Sequence, residues 1–173
     1  EYFMIYDLES EKEDTIKKVD QYMIAEEGPS VLFYRSGKDS SDMAGVYNFN
    51  TESGRTENLM QEVGKYKNAV IDKSGSQVAF VVDLDTTERR VRPYDLFLWS
   101  GGVLERIVSS DKRLSDFDYY ISEHTKPIFS EDVGRLYFGI GEKPVMADSL
   151  ALDKELVQVE VWTTEDPMLY TMQ

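Results

Sequence analysis

The chain reads as an all-β protein: a partial β-propeller of about three four-stranded antiparallel blades plus a half blade. Repetition carries that reading. The phrases EEGPSVLF, DKSGSQVAF and SEDVGRLYF close on Phe33, Phe80 and Phe138. Each is a turn with an acid and a glycine, followed by a strand ending in an aromatic. A second set, VYNF, LFLW and VEVW, closes on Phe49, Trp99 and Trp162. The first set recurs after 47 and 58 residues (33 to 80 to 138), the second after 50 and 63 (49 to 99 to 162). Self-similarity at about 40–50 residues, lengthened by loop insertions, is the signature of a four-stranded propeller blade. Strand chemistry points the same way, because VAFVV and LFLW are continuously apolar. A sheet with one wet face alternates, whereas a blade sandwiched between neighbours buries both faces. The six closing aromatics therefore read as packing residues, not as a ligand lining.

Taken in order, residues 1–18 form a partial blade. YFMIYDL reads as the third strand of a blade and DTIKKV as its outer strand. Ser10 and Glu13 also match a helix capping box, but the β-branched Thr15, Ile16 and Val19 favour the strand. A full blade spans 19–62, with strands near 20–25, 31–35, 45–50 and 55–60 and a tight turn at 51–54. The next, 65–108, holds YKNAVID, QVAFVVD, YDLFLW and VLERIV, the last two joined at Gly101-Gly102. Residues 109–124 read as a linker. The blade at 125–173 holds PIF, RLYFGI, LVQVEVW and PMLYTMQ, with an insertion at 141–155 that suits a helical turn around Asp148 to Leu152. Three and a half blades do not close a ring. The ends then expose unpaired strands or apolar blade faces, to be covered by further chain or by another copy. Opening on Glu1 in mid-pattern reads as a piece of a longer or processed chain.

Composition bounds the partners. With 33 acids against 19 bases the formal charge is −14, which argues against nucleic acid or an anionic membrane surface. Acids on strand edges and loops keep such a protein soluble; attraction of cationic peptides is the sharper alternative. No apolar run approaches the length of a membrane span and no signal-peptide pattern opens the chain. Without cysteine there is no disulfide framework, thiolate zinc site or thiol nucleophile. Compartment is not legible, and periplasm and cytoplasm both fit.

At PIFSEDVGRLYFGIGEKP (127–144) and VEVWTTEDPMLYTMQ (159–173) the chain resembles the N-terminal propeller of the prolyl oligopeptidase family, especially bacterial dipeptidyl and acylaminoacyl peptidases. GVYNFN, YKNAVIDKSGSQVAFVVD and YDLFLW extend the resemblance over most of 19–173, and it fades before Val19. One departure is visible. The acid-glycine pair of the third turn stands as Asp132-Val133-Gly134, with glycine displaced by one, a change that can alter the turn type without disturbing the strand that follows. The resemblance implies a parent in which a propeller caps an α/β-hydrolase domain bearing a Ser nucleophile, an Asp and a His. That domain of the same parent chain and peptide substrates are the implied partners. The implied role is a non-catalytic segment gating peptide access, and this chain alone is expected to hydrolyse nothing. The alternative is a stand-alone propeller acting as a protein-binding scaffold, and a homodimer through exposed blade edges is a third arrangement.

No catalytic, cofactor-binding or metal residue is assigned, and substrate-binding residues are unknown. The nucleophile elbow G-x-S-x-G does not occur. A triad needs a histidine with a carboxylate behind it and a serine in front; the single histidine, His124 beside Glu123, reads as a loop residue. Some peptidases of the resembled class hold the substrate's amino terminus with paired glutamates. Glu26-Glu27 is such a pair, but it reads as a solvated turn. Asp83 with Asp85, and Asp116 with Asp118, lack the continuation of a calcium loop. Arg89, Arg90 and Arg92 read as a solvated hairpin tip, with pairing to a neighbouring domain as the alternative. Gly101-Gly102 is a hairpin turn without the lysine and hydroxyl of a phosphate loop.

Overall fold

Apolar runs punctuated by glycine turns become strands in the computed structural model, which describes residues 2–38, 43–87, 92, 94–111, 114 and 119–142. β1 (Tyr2–Tyr6) and β2 (Glu13–Lys17) form an antiparallel hairpin. The strand therefore prevails over a helix at Ser10, whose N–H and hydroxyl both donate to the Asp7 carboxylate in a side-chain-closed turn. β3 (Gln21–Ile24), β4 (Ser30–Arg35), β5 (Gly45–Asn50) and β6 (Arg55–Met60) follow as one four-stranded antiparallel meander. β7 (Lys65–Ile71), β8 (Gln77–Asp83), β9 (Asp95–Ser100) and β10 (Val103–Val108) make a second. β11 (Tyr119–Ile121) pairs β14 (Ile140–Glu142), and β12 (Ile128–Phe129) pairs β13 (Leu136–Tyr137). The described residues are all-β, without a helix, and so without one long and apolar enough to cross a membrane.

The layers follow one another in chain order, each strand giving alternate side chains to opposite neighbours. From β4 and β5, Val31, Phe33, Tyr47 and Phe49 join Phe3, Ile5 and Ile16 of the first hairpin. Leu32, Tyr34 and Val46 face the other way, onto Val78, Phe80 and Val82 of β8. Val81 and Leu96 turn again, to pack with Ile121 and Leu136 of the strand pairs β11–β14 and β12–β13, the last layer. β8 is thus covered on both faces, while β9 is buried at Asp95 and Leu96 and half-buried from Phe97 to Ser100. Phe33, Phe80 and Phe49 are buried as their repetition predicts, and Trp99 is half-buried against the central cluster. Phe138 is instead 36% exposed. Trp162, LVQVEVW, PMLYTMQ and the helical turn around Asp148 lie outside the described residues.

Repeated turns dock on each other at one end of the layers. Gly28 admits no side chain, since an added Cβ would stand 2.1 Å from the Ser74 carbonyl oxygen, and Glu27 N–H donates to Lys73 at 2.8 Å. Gly75 has a left-handed φ of 79° and lies against the Ser30 side chain. The third turn keeps the same hydrogen-bond frame. Asp72 N to the Gln77 carbonyl and Gly75 N to the Asp72 carbonyl become Ser130 N to Arg135 and Val133 N to Ser130. Val133 takes the glycine's place with φ 56°, a rare conformation for a β-branched residue. The displaced glycine leaves the hydrogen-bond frame of the turn unchanged and strains one valine.

Two boundaries differ from the sequence reading. The stretch 109–124 is not all linker, because Tyr119–Ile121 is strand β11 and its ladder continues through Ser122 N–H to the Gly139 carbonyl at 2.9 Å. RLYFGI is broken into β13 and β14 at Phe138-Gly139. There the Thr125 side chain presses so close that a Cβ on Gly139 would lie 2.3 Å from it. β14 reaches Glu142, so the first residues of the proposed 141–155 insertion are strand.

Candidate functional site

Polar chemistry concentrates where the second meander meets the last layer. β7 gains one residue over β8 between Lys67 and Val70, a β-bulge. Asn68 occupies it with φ 48°, which its short polar side chain tolerates better than most. The bulge re-aims two side chains toward the β11–β12 connection. Lys67 Nζ pairs with Glu123 Oε2, and Asn68 Nδ2 donates to the Glu123 carbonyl. The Lys67 ammonium also lies 5.6 Å from the Tyr94 ring centroid, within cation–π range. One glutamate is held by backbone and carboxylate together.

Burial would raise the Glu123 carboxyl, but the Lys67 ammonium and the adjacent Tyr94 hydroxyl outweigh it and hold the group below the usual carboxylate value. Tyr94 is buried, its hydroxyl has no well-aligned hydrogen-bond partner, and burial with the Glu123 charge pushes its ionisation well above normal. Beside it, Arg92 Nη1 binds Asp83 Oδ2 at 2.7 Å and reaches the Asp85 carbonyl at 3.3 Å. The Asp83 side chain is only 2% exposed. Asp85 N–H takes its other oxygen at 2.9 Å. A third carboxylate, Asp95, accepts from Arg106 and from Ser110 N–H.

Each of these carboxylates is engaged by a cation or by a backbone N–H. The contacts of Lys67 and Asn68 with Glu123 clamp β7 to the β11–β12 connection. His124 is exposed, its N–H facing Ser122 Oγ at 3.3 Å, and the neighbouring carboxylate belongs to Lys67. Glu26 and Glu27 are exposed in the first docking turn. Asp83 and Asp85 are tied to Arg92, and among the described residues no three His, Cys, Asp or Glu side chains gather as metal ligands. Arg92 corrects the solvated-tip reading: it is drawn inward because the buried Asp83 carboxylate requires a cation. Asp116, Asp118, Arg89 and Arg90 lie outside the described residues. Gly101 and Gly102 have φ of 59° and 81°, the two-residue hairpin turn expected of them.

Sequence reasoning did not single out Lys67, Asn68 or Tyr94. The available signal was Lys67-Asn68 standing between Tyr66 and the apolar Ala69, Val70 and Ile71 of one strand. No protein-family model, curated protein or solved structure matches this chain.

Proposed function

We propose that the chain supplies blades of a β-propeller and acts as a non-catalytic segment that gates peptide access to a serine-peptidase domain of the prolyl oligopeptidase class. The observation that carries the blade reading is the chain-order stacking of four-stranded meanders, each buried on both faces. That is how neighbouring blades pack. The gating role rests on the sequence resemblance, and its physical mechanism is exclusion: a ring over an active site admits short flexible peptides and blocks folded chains. Sequencing the source reading frame past Gln173 tests the role. Codons for G-x-S-x-G, then an Asp and a His, support it. A stop shortly after Gln173 refutes gating of a domain in the same chain and leaves a binding scaffold.

A further inference from the structure

One half-buried cation in this acidic chain lacks a carboxylate. Arg92 binds Asp83 and Arg106 binds Asp95, but among the described residues no acid pairs with Arg35, the last residue of β4. Its guanidinium carbon lies 5.5 Å from the Phe33 ring centroid and 5.1 Å from that of Tyr47. Cation–π attraction holds the group there, yet a guanidinium also carries a planar fork of N–H donors that need acceptors. Nε is buried without one. The hydrogen-bond partner of Nη1 is the Met43 thioether at 3.9 Å, and a thioether is a weak acceptor.

The backbone fixes where that sulfur stands. Tyr47 Oη donates to the Met43 carbonyl at 2.7 Å, and Met43 itself takes a left-handed φ of 52°. The side chain is nevertheless 53% exposed, open to small solutes. A methionine sulfoxide ordinarily disrupts the apolar packing around it. Here a strong acceptor would replace a weak one beside a guanidinium that has no anion among the described residues, so the usual sign is reversed.

We infer that Met43 is a site of reversible oxidation by peroxides, and that its sulfoxide oxygen accepts from Arg35, fastening the entry to β5 onto the end of β4. In the step the sulfur lone pair attacks the terminal peroxide oxygen, and an S–O bond forms as the O–O bond breaks. Sulfur is oxidised and the peroxide is reduced to water or an alcohol, the proton of the transferred oxygen passing to the leaving one. Methionine sulfoxide reductases restore the thioether. The site stands apart from the gating role and does not depend on the blade reading.

Limited treatment of the full chain with hydrogen peroxide, followed by peptide mass spectrometry and thermal melting, tests the site. Met43 should gain one oxygen together with exposed Met4, ahead of half-buried Met23 and buried Met60. The melting temperature should rise by about 3 °C or more, as a hydrogen bond to a charged group warrants, and return after reductase treatment. Met43→Leu and Arg35→Gln, oxidised in the same way, should show no rise. Should Arg35→Gln fail to fold, Met43→Leu still decides. Met43 left unoxidised while Met4 converts overturns the site. Oxidation of Met43 with an unchanged or lower melting temperature overturns the contact with Arg35, as does an equal rise in either variant. A sulfoxide that the reductases leave in place overturns reversibility.

Discussion

Double coverage of β8 makes a sharp prediction, because adjacent residues on opposite faces should both be expensive to truncate. Phe80 is fully buried, its ring stacked on Phe97 at 5.7 Å and near Tyr66 at 6.0 Å. Phe80→Ala should cost about 3–5 kcal/mol. Val81, 1% exposed, packs on the other side with Tyr94, Leu96, Val108 and Ile121. Val81→Ala removes two methyl carbons at about 0.8 kcal/mol each, and the cavity left behind brings the loss to about 2 kcal/mol. Set against a total stability of about 5–15 kcal/mol, both losses are easily measured. With a urea dependence of about 2 kcal/mol per molar, the midpoint should fall by about 2 M for Phe80→Ala and about 1 M for Val81→Ala, with slopes unchanged. A Val81→Ala change within about 0.5 kcal/mol, typical of solvated sites, would refute the sandwiching of this sheet.

Other consequences are as direct. Burial would raise Asp72, but Ser74 and the Gln77 N–H outweigh it and hold its carboxyl below the usual value. Its stabilisation is therefore complete above the unfolded pKa, about 3.9, and disappears as pH falls through the lower folded value. Asp72→Ala should cost about 1.5–3 kcal/mol at pH 7 and less in acid, once the folded carboxyl is protonated, read from denaturation at both. Val133→Asn should raise the melting temperature by about 2–4 °C, since relieving a left-handed valine is worth about 1 kcal/mol. Val133→Gly should gain less, because glycine loses more backbone entropy on folding; a fall with Asn would show that contacts hold the valine. Lys67→Met should release Glu123 and speed hydrogen exchange in β11 and β12 while leaving β3–β6 unchanged. Unaltered exchange there would remove the clamp.

Legibility tracked distance along the chain. β3 to β10 could be read because each strand sits between local turn signals and repeats its apolar pattern within one blade length. β11 could not: it is three residues long, follows an acidic stretch, and pairs with β14 across an intervening hairpin. The conformation of Val133 was hidden because a hydrogen-bond frame set by Ser130 and Arg135 overrode the local preference for glycine. Asn68 in a bulge is a local oddity that sequence displays without explaining. The seam it helps build joins Lys67 to Glu123, 56 residues apart, and no local pattern encodes such a meeting. Arg92, nine residues from Asp83, was misread for another reason, since the burial of that carboxylate is set by packing and not by local sequence.

The most direct test of the blade account is an experimental structure, read for the operation relating β3–β6 to β7–β10. A rotation of about 45–90° about an axis shared with the last layer, one turn divided among four to eight blades, is the predicted result. Sheets stacked face to face at about 10 Å and about 30°, without a common axis, would make the protein a layered sandwich and contradict the account.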